Sequence, residues 1–161
     1  MSIPLLGQGF RGLEGHSGFL LRQAWQAFDG AMEAALREQD LTPAQYGALS
    51  VLARVPGSSG ADLARGSNTT PQAMNGVIAT LERKGLIERR PHPTHGRILQ
   101  VNLTDQGRKR LEGANPVVRA LENAIEANFS ADEIALVKRW LVGCAERLQT
   151  RTPVRRTDSA E

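Results

Sequence analysis

The chain has 161 residues, of which 40% are hydrophobic and only 4% aromatic, and its formal net charge is +3. This length suits one domain, or a smaller lobe with additional helices, and a single cysteine excludes an intrachain disulfide and fits a reducing cytoplasm. The first residues carry neither a charged leader nor a long apolar run, so we expect no signal peptide and no membrane span.

The charge is concentrated in one part of the chain. Between Arg83 and Arg110 there are eight Lys and Arg residues against two acidic residues, so this segment carries +6 and the remainder carries −3. A basic segment on a nearly neutral protein is typical of a nucleic-acid binder. A solvated basic face without a ligand is the alternative interpretation.

The N-terminal part is predicted to be an arm followed by a long helix. Residues 1–18 contain five glycines, and we expect them to form a flexible arm. Phe19–Gln39 is predicted to be amphipathic, because five apolar residues recur at intervals of three or four, namely Leu21, Trp25, Phe28, Met32 and Ala35.

A second helix is predicted to begin at Thr42-Pro43, which supplies an N-cap residue and a first-turn proline. Its buried side would contain Tyr46, Leu49 and Leu52. The segment PGSSG that follows it has the composition of a loop.

Residues 60–85 predict a helix, a tight turn and a second helix. Gly60–Arg65 has helical composition, and Gly66-Ser67-Asn68 interrupts it with turn residues. Either Thr69 or Thr70 then caps a helix that starts with Pro71 and ends at Gly85. Its predicted apolar face comprises Met74, Val77, Ile78 and Leu81. Two helices in this arrangement form a helix-turn-helix unit, whose second helix enters the DNA major groove.

A basic hairpin is predicted next. Leu86-Ile87 opens one strand, and Ile98, Val101 and Leu103 suit a returning strand. The tip between the strands is rich in cations and histidines, namely Arg89, Arg90, His92, His95 and Arg97. Core packing does not explain this composition, whereas contact with phosphates or a minor groove does.

Two further helices complete the prediction. Thr104 is expected to cap a helix from Asp105 to about Asn128, which Pro116 should kink or split. Ser130 is expected to cap a last helix, whose apolar seam comprises Ile134, Val137, Leu141, Cys144 and Leu148. Residues 150–161 are expected to be disordered.

Because a protein that binds palindromic DNA needs two recognition helices at a fixed spacing, we expect the long helices to form a two-fold dimer.

The helix-turn-helix, the run LERKGLIERR, the hairpin HPTHGRILQVNLT and the following DQG resemble the MarR (multiple antibiotic resistance regulator) family over roughly Ser17 to Leu148. The resemblance implies a mainly α fold with a small β-hairpin wing. Residues 41–104 would form the winged helix-turn-helix lobe, and 19–40 and 105–149 the dimerisation helices. It also implies a homodimeric cytoplasmic transcription regulator, expected to be a repressor that a small aromatic or anionic effector releases from DNA. The family often has an Asp two residues before the wing arginine, where this chain has His95.

Three groups of residues are candidates for contact with a double-stranded, pseudo-palindromic operator. They are Thr69, Thr70, Gln72, Ala73 and Asn75 on the recognition helix, then Arg83, Lys84, Arg89 and Arg90, and finally His95 and Arg97 on the wing. Gln and Asn make bidentate contacts to adenine, and Arg and Lys meet phosphates. The candidate effector pocket comprises Trp25, Phe28 and Tyr46.

Other functional classes have weaker support. The chain has no Gly-rich phosphate loop or nucleophile elbow, so we expect no enzymatic activity, catalytic residue or cofactor. A metal site would need His92 and His95 with His16 or Cys144, and a redox sensor would use Cys144, which lies on an apolar seam. A helical dimer that binds acidic proteins through the hairpin is the alternative without DNA.

The histidine at position 95 generates a prediction. An imidazole with the ordinary pKa of about 6.5 becomes charged on acidification, and nearby phosphates favour the charged form. DNA affinity should therefore increase as the pH falls from about 8 to 6, and His95→Ala should flatten that dependence. The measurement is duplex titration across this pH range, and an unchanged profile in the variant would contradict the prediction.

Overall fold

The computed structural model describes residues 2–91 and 99–149. Two predicted segments lie outside the described residues. They are the tail of residues 150–161, expected to be disordered, and the wing tip with His92, His95, Arg97 and Ile98. Besides short 3-10 turns at Gly9–Arg11 and Arg37–Gln39, the described residues form six α-helices and two strands: α1 Ser17–Leu36, α2 Pro43–Arg54, α3 Gly60–Gly66, α4 Pro71–Arg83, β1 Ile87–Pro91, β2 Leu99–Leu103, α5 Asp105–Glu126 and α6 Ala131–Gln149. Two compact units divide the chain, residues 1–121 and 122–161.

Capping boxes set the starts of α2 and α3. The backbone N–H of Gln45 donates to Thr42 Oγ1, and the backbone N–H of Thr42 donates to Gln45 Oε1, both at 3.2 Å. Ser59 and Asp62 make the same reciprocal pair at 3.1 and 3.2 Å. Such boxes satisfy amide groups that the first turn leaves without partners. The predicted start of α2 at Thr42-Pro43 is confirmed.

One hydrophobic core joins the helices and the hairpin of the first unit. Its largest fully buried side chains come from α1, α2, α3, α4 and the hairpin, and are Leu36, Leu49, Leu52, Leu63, Met74, Leu81, Leu86 and Val101. The predicted burial of Leu49 and Leu52 is confirmed, whereas Tyr46 is half-buried. The short helices therefore obtain their stability from shared packing rather than from their own length.

The hairpin is antiparallel, with Ile87 opposite Leu103 and Arg89 opposite Val101. A third segment extends it, because the N–H of Val101 donates to the Ser58 carbonyl at 3.0 Å. Ser58 belongs to the stretch that the sequence predicts as loop. This bridge attaches β2 to the segment that leads into α3.

Helix α5 differs from expectation at Pro116. α5 begins after the Thr104 cap, as predicted, and remains a single helix although Pro116 lies inside it. Of the two expected effects of Pro116, the split is therefore wrong, and the kink stays a prediction. Leu111, Ala114 and Val118 are buried on either side of the proline, and this packing holds both halves to the same core.

The arm contacts its own helix. The guanidinium Nε of Arg11 donates to Gln23 Oε1 at 3.3 Å, and Gln23 Nε2 donates to the Arg11 carbonyl at 3.2 Å. The rings of Phe10 and Phe19 meet edge to face at 5.7 Å. Glycine content does not predict these contacts.

The second unit contains α6, which starts with the predicted cap: the N–H of Glu133 donates to Ser130 Oγ at 3.3 Å. None of the α6 residues is buried. Its exposed large hydrophobic residues are Leu136, Val137, Trp140, Leu141, Val142 and Leu148. In residues 2–91 and 99–149, no helix combines the length and apolarity that crossing a membrane requires.

The buried Gly107 at the start of α5 generates a stability prediction. A Cβ at this position would lie 1.9 Å from the Leu86 carbonyl oxygen, so Gly107→Ala must displace α5 from the hairpin. We expect the free energy of unfolding to fall by about 1–3 kcal/mol or more. Gly76 on α4 has no such neighbour within 4 Å, so Gly76→Ala should instead add about 0.5–1 kcal/mol. Urea unfolding measures both, and a Gly107→Ala variant as stable as the wild type would contradict the first expectation.

Candidate DNA-binding interface

Helix α4 has one buried face and one exposed face. Met74, Ile78 and Leu81 are at most 3% exposed, as predicted, and Val77 packs against them. Gln72, Ala73 and Asn75 are exposed near the helix start. The core thus fixes the rotation of α4 about its axis and leaves these three side chains accessible in its first turns.

The start of α4 is held by its cap and by the preceding turn. Thr70 is the N-cap, because its Oγ1 accepts from the backbone N–H of Ala73 at 3.2 Å. The sequence did not decide whether Thr69 or Thr70 is the cap. Thr69 instead donates its backbone N–H to the Ala64 carbonyl at 2.9 Å. Asn68 adopts a left-handed conformation at φ 49°, which asparagine tolerates well. These contacts join α3 to α4 in a helix-turn-helix.

The two cations at the end of α4 both have hydrogen-bond partners, Lys84 outside the helix and Arg83 within it. Lys84 Nζ donates to the Asp40 carbonyl at 2.7 Å and lies 3.1 Å from its carboxylate. Arg83 remains exposed, and its Nη2 donates to Thr80 Oγ1 at 3.2 Å. Lys84 therefore has a structural contact, and its contact with a phosphate stays a prediction.

The cations on β1 are paired too. Arg89 Nε donates to both carboxylate oxygens of Glu82, at 3.1 and 3.0 Å, and its Nη2 also donates to Glu82. These hydrogen bonds lower the pKa of Glu82 and raise the pKa of Arg89, so both groups remain charged. Arg90 Nη2 lies 2.6 Å from Glu88 Oε1. The sequence, which gives no distances between elements, did not predict the pairing of Arg89 with Glu82.

The wing candidates His95 and Arg97 lie outside the described residues, so their role stays a prediction. The strands that lead to and from them are described, and they bring Pro91 opposite Leu99. In the described part of the chain, no group of three or more His, Cys, Asp or Glu residues could hold a metal ion.

The effector candidates are only partly brought together. The rings of Trp25 and Phe28 are 6.4 Å apart, and Trp25 is 59% exposed. Tyr46 is half-buried, and its hydroxyl donates to Asn115 Oδ1 at 3.1 Å. A hollow of about 280 Å³ lies instead beside the turn between α1 and α2 and is lined by Glu33, Arg37, Asp40, Leu41, Thr42, Pro43, Gln45 and Lys84. None of the three aromatic residues lines it.

Comparison with known proteins agrees with this geometry. Residues 39–98 match the sequence profile described as the MarR family. The HTH-type transcriptional repressor Rv2887 of Mycobacterium tuberculosis is 36% identical over 124 residues, which cover 77% of this chain and 89% of the relative.

Solved structures share the fold. The structure of Rv2887 in complex with salicylic acid is 35% identical, with a TM-score of 0.64, and the match covers 80% of this chain and 96% of the relative. The repressor CouR bound to a 23-mer DNA duplex gives a TM-score of 0.77 at 24% identity, covering 86% and 98%. At that identity the likeness establishes the fold alone. The predicted mainly α fold with a hairpin wing is confirmed.

The exposed residues of α4 generate a prediction about which side chains recognise base pairs and which contact only phosphates. Gln72→Ala or Asn75→Ala should cost about 1–3 kcal/mol on the best duplex and relax preference at one base pair per half-site. Arg90→Ala should weaken all duplexes alike and lower the salt slope by about one for each phosphate that it no longer neutralises, doubled across a dimer. A panel of duplex variants titrated at two salt concentrations distinguishes the two effects. Uniform weakening in the helix variants together with changed base preference in Arg90→Ala would reverse the assignments.

Proposed function

The chain belongs to the MarR family of transcriptional regulators, and we propose that it is a homodimeric repressor that a small aromatic anion releases from its operator. The observation that carries this proposal is the exposed polar start of α4, which is held rigidly by a cap and a buried face. A helix presented in this way fits the major groove with its first turns.

We propose that residues 41–104 form the DNA-binding lobe. Thr69, Thr70, Gln72, Ala73 and Asn75 would meet the major groove. Arg83, Lys84 and Arg90 would meet phosphates, and His95 and Arg97 would meet the minor groove or its phosphates. Because this target is chromosomal DNA, the proposed location is the cytoplasm.

We propose that residues 19–40 and 105–149 form the dimer, with the arm of residues 1–18 beside them. The seam of Val137, Leu141 and Leu148 is exposed within one chain. A row of large apolar side chains at helical spacing marks an interaction surface. A stable homodimer interface of this kind buries on the order of 2,000 Å² or more.

The class of effector is proposed from the chain's relatives and its aromatic residues. Rv2887 has been solved with salicylic acid, a small aromatic carboxylate. In this chain Trp25 and Phe28 lie on α1, and Tyr46 links α2 to α5 through its bond to Asn115. A ligand against these residues would contact both the dimerisation helices and the DNA-binding lobe, so its binding can be coupled to DNA affinity.

The proposed function is tested by selecting duplexes that bind the protein from a random pool. We expect enrichment of one pseudo-palindromic sequence, steep loss of affinity with salt, and weaker binding when salicylate is added. Absence of an enriched sequence, combined with salt-sensitive binding to acidic proteins, would favour a protein-binding function instead.

The exposed seam of α6 generates a prediction about assembly. Val137→Glu and Leu141→Glu each place a carboxylate on the seam, so we expect loss of the dimer and loss of operator binding at micromolar concentration. Arg139 lies about 200° around the helix from both residues. Arg139→Glu is therefore the control and should remain dimeric. Light scattering gives the mass, and seam variants that remain dimeric would contradict an interface through α6.

A further inference from the structure

We propose that Arg89 acts in DNA binding as a positioning residue, which together with Glu82 holds the wing against the recognition helix. This role replaces the phosphate contact that its place in the basic segment suggests. The inference rests on the proposed function, since it specifies how one side chain serves the same DNA-binding surface.

The geometry of the pair is that of a fork. Arg89 Nε lies 3.1 and 3.0 Å from the two carboxylate oxygens of Glu82, and Nη2 adds a third donor to the same carboxylate. A planar guanidinium with several hydrogen bonds to one carboxylate fixes orientation as well as distance. The pair therefore constrains how β1 is rotated relative to α4.

Both partners continue buried stripes of their elements. Glu82 lies four residues after Ile78 on α4, and Arg89 lies two residues after Ile87 on β1, so each follows a buried residue on the same face. Ile78 is 3% exposed and Ile87 is 2% exposed. The ion pair thus closes the helix–strand contact at its solvent edge, where apolar packing ends.

This edge is where the wing needs support. α4 ends at Arg83 and β1 begins at Ile87, and the turn between them passes through Gly85 at φ 69°. Beyond Arg89, β1 continues for two residues, and it pairs with β2 along its whole length. Any rotation of β1 at this point therefore changes the direction in which the hairpin leaves α4.

A neighbouring pair provides a matched control. Arg90 pairs with Glu88, but both residues belong to β1 and lie two positions apart on one face of the strand. The Arg90 side chain is 68% exposed, against 38% for Arg89. This pair connects no two elements, so its removal should change phosphate contacts without changing the position of the wing.

The experiment compares Glu82→Gln, Arg89→Gln and the double variant with Glu88→Gln and Arg90→Gln. Affinity for the selected duplex is measured at four or more salt concentrations, and thermal unfolding is measured alongside. We expect Glu82→Gln and Arg89→Gln each to weaken binding on the order of tenfold, and the double variant to lose no more affinity than either single variant. The salt slope should be unchanged for all three, whereas Arg90→Gln should lower it and Glu88→Gln should not weaken binding.

The direction in which each single substitution changes DNA affinity distinguishes a positioning role from attraction to phosphates. Glu82→Gln removes a negative charge and Arg89→Gln removes a positive one, so simple attraction to phosphates predicts opposite effects on affinity. Weaker binding by both variants with unchanged unfolding temperature supports the positioning role. Tighter binding by Glu82→Gln, or a lower salt slope in Arg89→Gln, overturns it. A wild-type protein that binds no duplex in a salt-dependent manner would instead contradict the proposed function itself.

Discussion

The structure depends on the burial of one face of α4. Met74, Ile78 and Leu81 insert into the core formed with α2, α3 and the hairpin. Fully burying a side chain of this kind stabilises the fold by about 1.5–3 kcal/mol, so rotating α4 would sacrifice several such contributions at once. The exposed positions of Gln72, Ala73 and Asn75 follow directly, because burying one face of a helix fixes its rotation and so determines which residues face solvent.

Several cations of the basic segment are engaged in ion pairs and do not act as independent charges. Lys84 contacts Asp40, Arg89 contacts Glu82 and Arg90 contacts Glu88. The charge of +6 already includes Glu88 but neither Asp40 nor Glu82, so it overstates the positive charge that an approaching phosphate meets near Lys84 and Arg89. Part of the positive charge in this segment therefore orders the protein itself.

The sequence predicted elements more successfully than contacts between them. Local signals were sufficient for the α2 and α6 caps at Thr42 and Ser130, because a cap and its partner lie three residues apart. The Ser58 bridge to β2 and the pairing of Arg89 with Glu82 could not be predicted, since they depend on the distance between separate elements. Pro116 shows the opposite case: local reasoning predicted a kink or a split, and packing on both sides of the proline maintained one continuous helix.

The two elements proposed to contact DNA, α4 and the wing, are therefore held in place by different interactions. Buried contacts fix α4, and the Thr70 cap fixes its first turn. The wing is attached at its base by the core residue Ile87 and, at the solvent edge, by the exposed fork between Glu82 and Arg89. Apolar burial is non-directional, whereas a guanidinium hydrogen-bonded to a carboxylate fixes orientation as well as distance. The orientation of α4 therefore depends on several buried side chains together, whereas the orientation of β1 at its solvent edge depends on a single ion pair.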